Sequence, residues 1–220
     1  MSSEGDEILS KWPPKAVVCI IDDELICELS GLDVHDSRYA DDLARITSLD
    51  LHLRDGEKGK IRRIENLSKL PLLQQLNLSY NAVSRVEGLA SLRFLVELNL
   101  AENSLSRIEG IFHMQHLERL NLCGNRIERL PSRLSSLPLS ALRLNRNRLC
   151  DLQDLEVFQG MHTLRNLRID NNLFPSPPAP PRQPPSPSLS RQSLLRRHIL
   201  HIATPWLEVL DNETVTAADR

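Results

Sequence analysis

A nine-residue pattern, LxxLxLxxN, recurs at nearly fixed spacing through the middle of this 220-residue chain. It reads LQQLNLSYN from Leu73, LVELNLAEN from Leu95, LERLNLCGN from Leu117, LSALRLNRN from Leu139 and LRNLRIDNN from Leu164. A degenerate copy, ITSLDLHLR, begins at Ile46, and successive starts lie 27, 22, 22, 22 and 25 residues apart. One copy of this length cannot enclose a core. Copies must stack, each burying its apolar side chains against the next. Composition fits such a layered interior, with 41 leucines and only 4% aromatic residues.

The pattern is the signature of a leucine-rich repeat, and the expected fold is an α/β solenoid of about six copies. Leucines at the first, fourth and sixth positions point inward from a short strand. The strands form a curved parallel sheet on the concave side. The ninth-position residues Asn81, Asn103, Asn125, Asn147 and Asn172 stand where the chain leaves the strand. An amide there offers both a donor and an acceptor to backbone groups of adjacent coils. Arg54 takes this place in the first copy, followed by the polar insertion DGEKGK, so that copy is expected to be irregular. After Asn81 the apolar residues Val83, Val86, Leu89 and Leu92 recur three apart, as do Leu105, Ile108, Ile111 and Met114 after Asn103. That spacing predicts 3₁₀ or short helical turns on the convex side. The copy starting at Leu139 has three extra residues, room for a longer turn.

A solenoid needs covers for its end layers. Residues 1–15 are expected to be disordered and 16–45 to form a helical cap, with Ile21, Leu25 and Leu29 along its apolar face. The solenoid proper spans 46–174. A proline-rich loop follows at 175–190, where eight of the 14 prolines fall within 175–187. It is expected to be a solvated polyproline-like excursion. Residues 191–220 form a C-terminal cap combining a helix with the strand-like WLEVLD.

Several function classes drop out. No stretch approaches 18 uncharged apolar residues, so no membrane span is expected, and the acidic start lacks the apolar run of a secretory signal. Cys19, Cys27, Cys123 and Cys150 follow no CxxC spacing, which points to reduced thiols in the cytosol or nucleus, and a cytoplasmic location is expected. GEKGK at 56–60 lacks the spacing and the Ser/Thr of a phosphate loop. The pairs His113/His116 and His198/His201 have no further ligand at zinc spacing. Neither an enzyme, nor a cofactor, nor a metal site is expected.

Binding is expected on the concave face, where the second, third, fifth and seventh residues of each copy point outward. The candidate contact residues are Asp50, Gln75, Asn77, Glu97, Asn99, Arg119, Asn121, Arg143, Arg165 and Arg168. Asn77, Asn99 and Asn121 form a ladder that scaffold preference alone accounts for. Charge changes sign along the face. Asp50 and Glu97 lie early, the four arginines late, with Arg146 at the rim. The late half suits a protein partner with an acidic segment. Nucleic acid is disfavoured, because the face lacks interleaved aromatics and the pI is about 6.4. A monomer is expected.

The 22-residue period, the IENL, VEGL and IEGI segments after the Asn turns and the terminal LEVLDNETVT resemble the short cytoplasmic leucine-rich class. That class includes the leucine-rich regulator of protein phosphatase one. Its C-terminal cap runs from a Tyr-Arg pair to a Leu-Asp; here Leu195-Arg196 and Leu210-Asp211 occupy those places. The stretch from Ile20 to Arg220, including ITSLDLHLRDGEKGKIRRIENL, is most similar to the N-terminal repeat region of the centriolin family of large centrosomal and midbody proteins. The resemblance implies a protein-interaction scaffold associated with the centrosome, cilium or cytoskeleton. A regulatory subunit of a protein phosphatase is one alternative. An RNA-associated scaffold is the other.

Overall fold

The computed structural model describes residues 18–19, 21–33, 35–36, 38–52, 59–175, 191–203, 206–217 and 219. The expected disorder at 1–15, most of the first-copy insertion and the proline-rich stretch from 176 lie outside the described residues.

Each copy contributes one three-residue strand. They are β2 (Ser48–Asp50), β4 (Gln75–Asn77), β5 (Glu97–Asn99), β6 (Arg119–Asn121), β7 (Ala141–Arg143) and β8 (Asn166–Arg168). They pair in parallel and in sequence order. Their register moves by one copy per strand, placing Leu49, Leu76, Leu98, Leu120, Leu142 and Leu167 in one line. With β9 (Val209–Leu210) and antiparallel β10 (Glu213–Thr214) they make an eight-stranded sheet. The fold is a leucine-rich repeat solenoid. Its aligned leucines are fully buried in a single core running from the first coil to the last.

The turn out of each strand has one construction. The eighth residue of every full copy, Tyr80, Glu102, Gly124, Arg146 and Asn171, has positive φ, and only one of the five is a glycine. The next residue is the ladder Asn. Asn103 Oδ1 accepts from Val83 N–H at 2.9 Å, while its Nδ2 donates to Leu78 O at 2.9 Å and to Leu100 O and Ala101 O at 3.1 Å. Asn81, Asn125, Asn147 and Asn172 repeat this arrangement. The amide therefore ties its own turn to the coil before it, and the left-handed residue ahead of it is tolerated because that geometry is over-determined.

The convex side is less uniform than the three-residue periodicity predicts. Regular 3₁₀ segments occur at Leu67–Lys69, Ser132–Ser136 and Leu152–Gly160, the last in the copy with extra residues. The copies starting at Leu73 and Leu95 keep only isolated turns, closed by Leu92 N–H to Leu89 O and Met114 N–H to Ile111 O. In these copies Gly88 and Gly110 have φ of +72° and +73°, and a Cβ on either would strike the carbonyl of Ile64 or Val86 in the preceding coil. Asn66 stands at the equivalent place in the first copy, also at positive φ, and donates to Ile21 O at 2.6 Å.

Capping elements close the ends. α1 (Asp23–Ser30) starts at Asp22, whose side chain accepts from Leu25 N–H at 2.8 Å, and stops at Gly31 with φ +71°. α2 is Tyr39–Ala44, and β1 (Val18–Cys19) pairs in parallel with β3 (Lys60–Ile61). Of the expected apolar face, Ile21 is fully buried and Leu25 packs half-buried against the core, but Leu29 does not pack. Ile26 and Cys27 are buried and Leu29 is 47% exposed. The cap at Asp22 leaves Ile21 outside the helix, so the buried stripe follows from where the first turn begins. At the other end α3 (Arg191–Ala203) buries Ile199 and Leu200 over the last coil.

Candidate interaction face

At the fifth position of each strand the sequence offers Asp50, Asn77, Asn99, Asn121, Arg143 and Arg168. The first four share one local role. Each side-chain oxygen accepts the backbone N–H two residues on, from His52, Ser79, Ala101 and Cys123, at 2.9, 3.1, 3.1 and 3.2 Å. These are Asx turns, and they commit the early half of the row to holding the strand exit. Guanidinium groups cannot accept, so the last two copies leave this position to side chains that reach elsewhere.

The same geometry corrects an expectation about exposure. Seventh-position residues alternate outward in an ideal strand, yet Ser79, Ala101 and Asn145 are buried. The chain is already bending into the Asn turn there. The fifth-position amide folds over the seventh residue, and Asn77 Oδ1 accepts from the Ser79 hydroxyl at 2.8 Å. The usable concave surface is therefore the second, third and fifth positions.

The charged residues divide into paired and unpaired. Arg119 Nε lies 3.0 Å from Glu97 Oε2 on the adjacent strand and its Nη1 is 3.7 Å from Glu118. Arg165 Nη1 donates to His162 O at 2.8 Å, and its Nε is 3.6 Å from Glu208 of the C-terminal cap. Arg168 Nε donates to Asp170 at 3.0 Å, and Arg146 at the rim donates to Glu102 at 2.8 Å. Arg143 is exposed and, among the described residues, has no carboxylate partner. The structure thus brings Arg119, Arg143, Arg165 and Arg168 onto neighbouring strands while neutralising three of them in place. Gln75, beside them on the early half, accepts from Ser48 Oγ at 3.5 Å. Glu97 and Glu208 went unread as pairing groups because nothing in a strand's own sequence shows which carboxylate a neighbouring coil will present.

A second exposed feature lies on the rim where the chain enters the sheet. Leu72 and Phe94 occupy the position just before the first leucine of two successive copies and are 45% and 49% exposed. His116 holds the same position in the next copy and stacks on Phe94 with ring centroids 5.9 Å apart. Half-buried Val96 lies beside them. The LxxLxLxxN pattern begins one residue too late to show this row.

Burial, with Glu102 nearby, pushes the Cys123 thiol up from its ordinary value, which disfavours a thiolate nucleophile. No group of three metal-ligating side chains assembles among the described residues. No described helix is long and apolar enough to cross a membrane.

A family model, Leucine Rich Repeat, matches residues 116–137. No curated protein is significantly similar in sequence. Solved structures share the fold. An internalin from Listeria monocytogenes superposes with a TM-score of 0.52 at 20% identity, over 92% of this chain and 60% of its own. A chain of the Drosophila melanogaster SNF/U2A′ complex gives 0.52 at 23% identity, over 90% of this chain and 87% of its own. A leucine-rich repeat protein of Leptospira interrogans gives 0.55 at 21% identity, over 80% and 39%. The chain thus spans 60% of that internalin's length.

Proposed function

We propose that this chain is a non-enzymatic protein-interaction module that receives an acidic segment of a partner on the late half of its concave sheet. The observation that supports this most is Arg143, a cation standing on an exposed strand position without a carboxylate partner among the described residues. A partner carboxylate would meet it with bidentate geometry, which an arginine fork favours. The occurrence of a similar fold in the SNF/U2A′ complex is in keeping with a protein partner. The caps at 16–45 and 191–220, the solenoid at 46–174 and the loop at 175–190 are taken as one monomeric unit. Its setting is proposed to be the cytoplasm, at the centrosome, cilium or cytoskeleton. That address rests on sequence resemblance alone.

The test is affinity capture with the full chain, carried out in parallel with Arg143→Glu and with Arg107→Glu, an exposed residue outside the strands. Centrosomal or ciliary proteins lost from Arg143→Glu and retained by Arg107→Glu are the expected result. Phosphatase subunits would favour the regulatory alternative, and partners released by nuclease would favour the RNA-associated one. Equal capture by both variants would remove the concave face from consideration.

A further inference from the structure

The rim row and the unpaired arginine lie on one continuous surface. Leu72 and Phe94 expose apolar surface in adjacent coils, Val96 carries it onto the sheet, and Arg143 follows two strands beyond β5. Strands in a sheet are spaced ~4.8 Å apart, so β5 and β7 are roughly 10 Å apart across the strands. The position before the first leucine and the fifth position also differ by five residues along the strand, or about 16 Å. The diagonal from Phe94 to Arg143 is therefore on the order of 19 Å, the rise of about 13 helical residues.

We infer that the partner segment is an amphipathic acidic helix, laid diagonally from the Leu72–Phe94–Val96 rim to Arg143. This inference rests on the interaction reading above and adds the chemistry of its partner. The two ends of the track ask for different groups. The rim offers apolar area and a ring pair whose flat faces suit aliphatic or aromatic side chains. The far end offers one uncompensated positive charge. Between them, Arg119 is shared by Glu97 and Glu118, so the middle carries a slight excess of negative charge and calls for uncharged polar residues there, with the partner's carboxylates kept to the far end. A helix with an apolar stripe at one end and carboxylates about three turns later satisfies both at once. A basic helix would bring its charge against Arg143. An extended acidic strand without apolar residues would leave the rim uncovered.

A displayed library of helical 18-residue peptides, with apolar, acidic and basic positions randomised, would be selected against the full chain. Enriched peptides should carry an apolar stripe with Asp or Glu displaced about three turns along the helix. Their affinity should fall at least tenfold for Phe94→Ser and for Arg143→Glu, and stay within twofold for Arg107→Glu. Circular dichroism of each variant guards against misfolding, and Leu72→Ser serves as a second rim variant. Failure to enrich any helix, enrichment of basic helices, or binding indifferent to Phe94 and Arg143 would overturn the inference. So would displacement of the enriched peptides by single-stranded RNA acting through the same residues. If a captured partner depends on Arg143 but not on Phe94 or Leu72, this inference fails while the proposed concave-face function stands.

Discussion

The Asp211 carboxylate accepts the backbone N–H of Ile169 at 2.7 Å, and the same oxygen accepts Asp170 N–H at 3.0 Å. In every earlier coil the equivalent N–H, from Leu51, Leu78, Leu100, Leu122 and Leu144, donates to the carbonyl of the fifth-position residue in the next strand. The last coil has no full strand beyond it, because β9 spans only two residues. A side-chain oxygen ends the ladder instead. Asp211→Ala should therefore cost about 1–3 kcal/mol by leaving two N–H groups unpaired. Asp211→Asn keeps an acceptor and should cost less than half as much. Chemical denaturation of both variants checks this, and equal losses would mean that the charge and not the acceptor matters.

Removing one rung of the asparagine ladder should show how far the turns depend on it. Asn103→Ala leaves Val83 N–H without its acceptor and takes one of two donors from the carbonyls of Leu78 and Leu100, which keep Asn81 and Asn125, a cost of roughly 1–3 kcal/mol. Asn103→Asp retains the acceptor but loses the donor, and should fall between alanine and the wild type. An unchanged melting midpoint for alanine would refute the role assigned to the amide.

Two glycines separate backbone strain from close approach. Gly31 and Gly110 both have positive φ, but a Cβ on Gly31 meets nothing within 4 Å, whereas on Gly110 it meets Val86 O. Gly31→Ala should cost about 1 kcal/mol, the penalty of a left-handed conformation for an L-residue. Gly110→Ala must also push two coils apart and should cost at least twice that. Comparable losses in thermal denaturation would show that the coils can yield.

The core leucines should behave as members of one stack. Leu98 is fully buried between Leu76 and Leu120 in the aligned row, so Leu98→Ala should destabilise by ~2–5 kcal/mol through the cavity it leaves. Urea unfolding measures this directly, and a loss below 1 kcal/mol would mean that the neighbouring coils collapse into the space.

Acid should weaken the N-terminal cap. The Asp23 carboxyl is held below its ordinary value, first by its hydrogen bond with Lys69, whose Nζ is 2.7 Å from Oδ1. A depressed folded value means that this contribution is present above the ordinary carboxyl range and is lost as pH falls through the lower, folded one. Asp211 runs the other way, because burial raises it, and its contribution fades as pH rises. Denaturation midpoints across the acid range should show Asp23→Asn with a shallower decline than wild type. An identical decline would remove the Asp23–Lys69 pair as a source of acid sensitivity.

The repeat phase, the inward leucines and the asparagine positions follow from the sequence itself, because a 22-residue period leaves one way to stack copies and each inward position depends only on its own strand. Around α1 the stripe placed Ile21 and Leu25 against the core but took Leu29 where Ile26 and Cys27 are buried, since a periodic stripe does not reveal which residue caps the helix. The charge change along the concave face was legible, but its pairing was not. Arg119 meets Glu97 from a coil 22 residues earlier, and Arg165 meets Glu208 from a cap 43 residues later. Those partners come together only when the coils stack at one register, so tertiary structure alone decided that Arg143 has no carboxylate partner among the described residues.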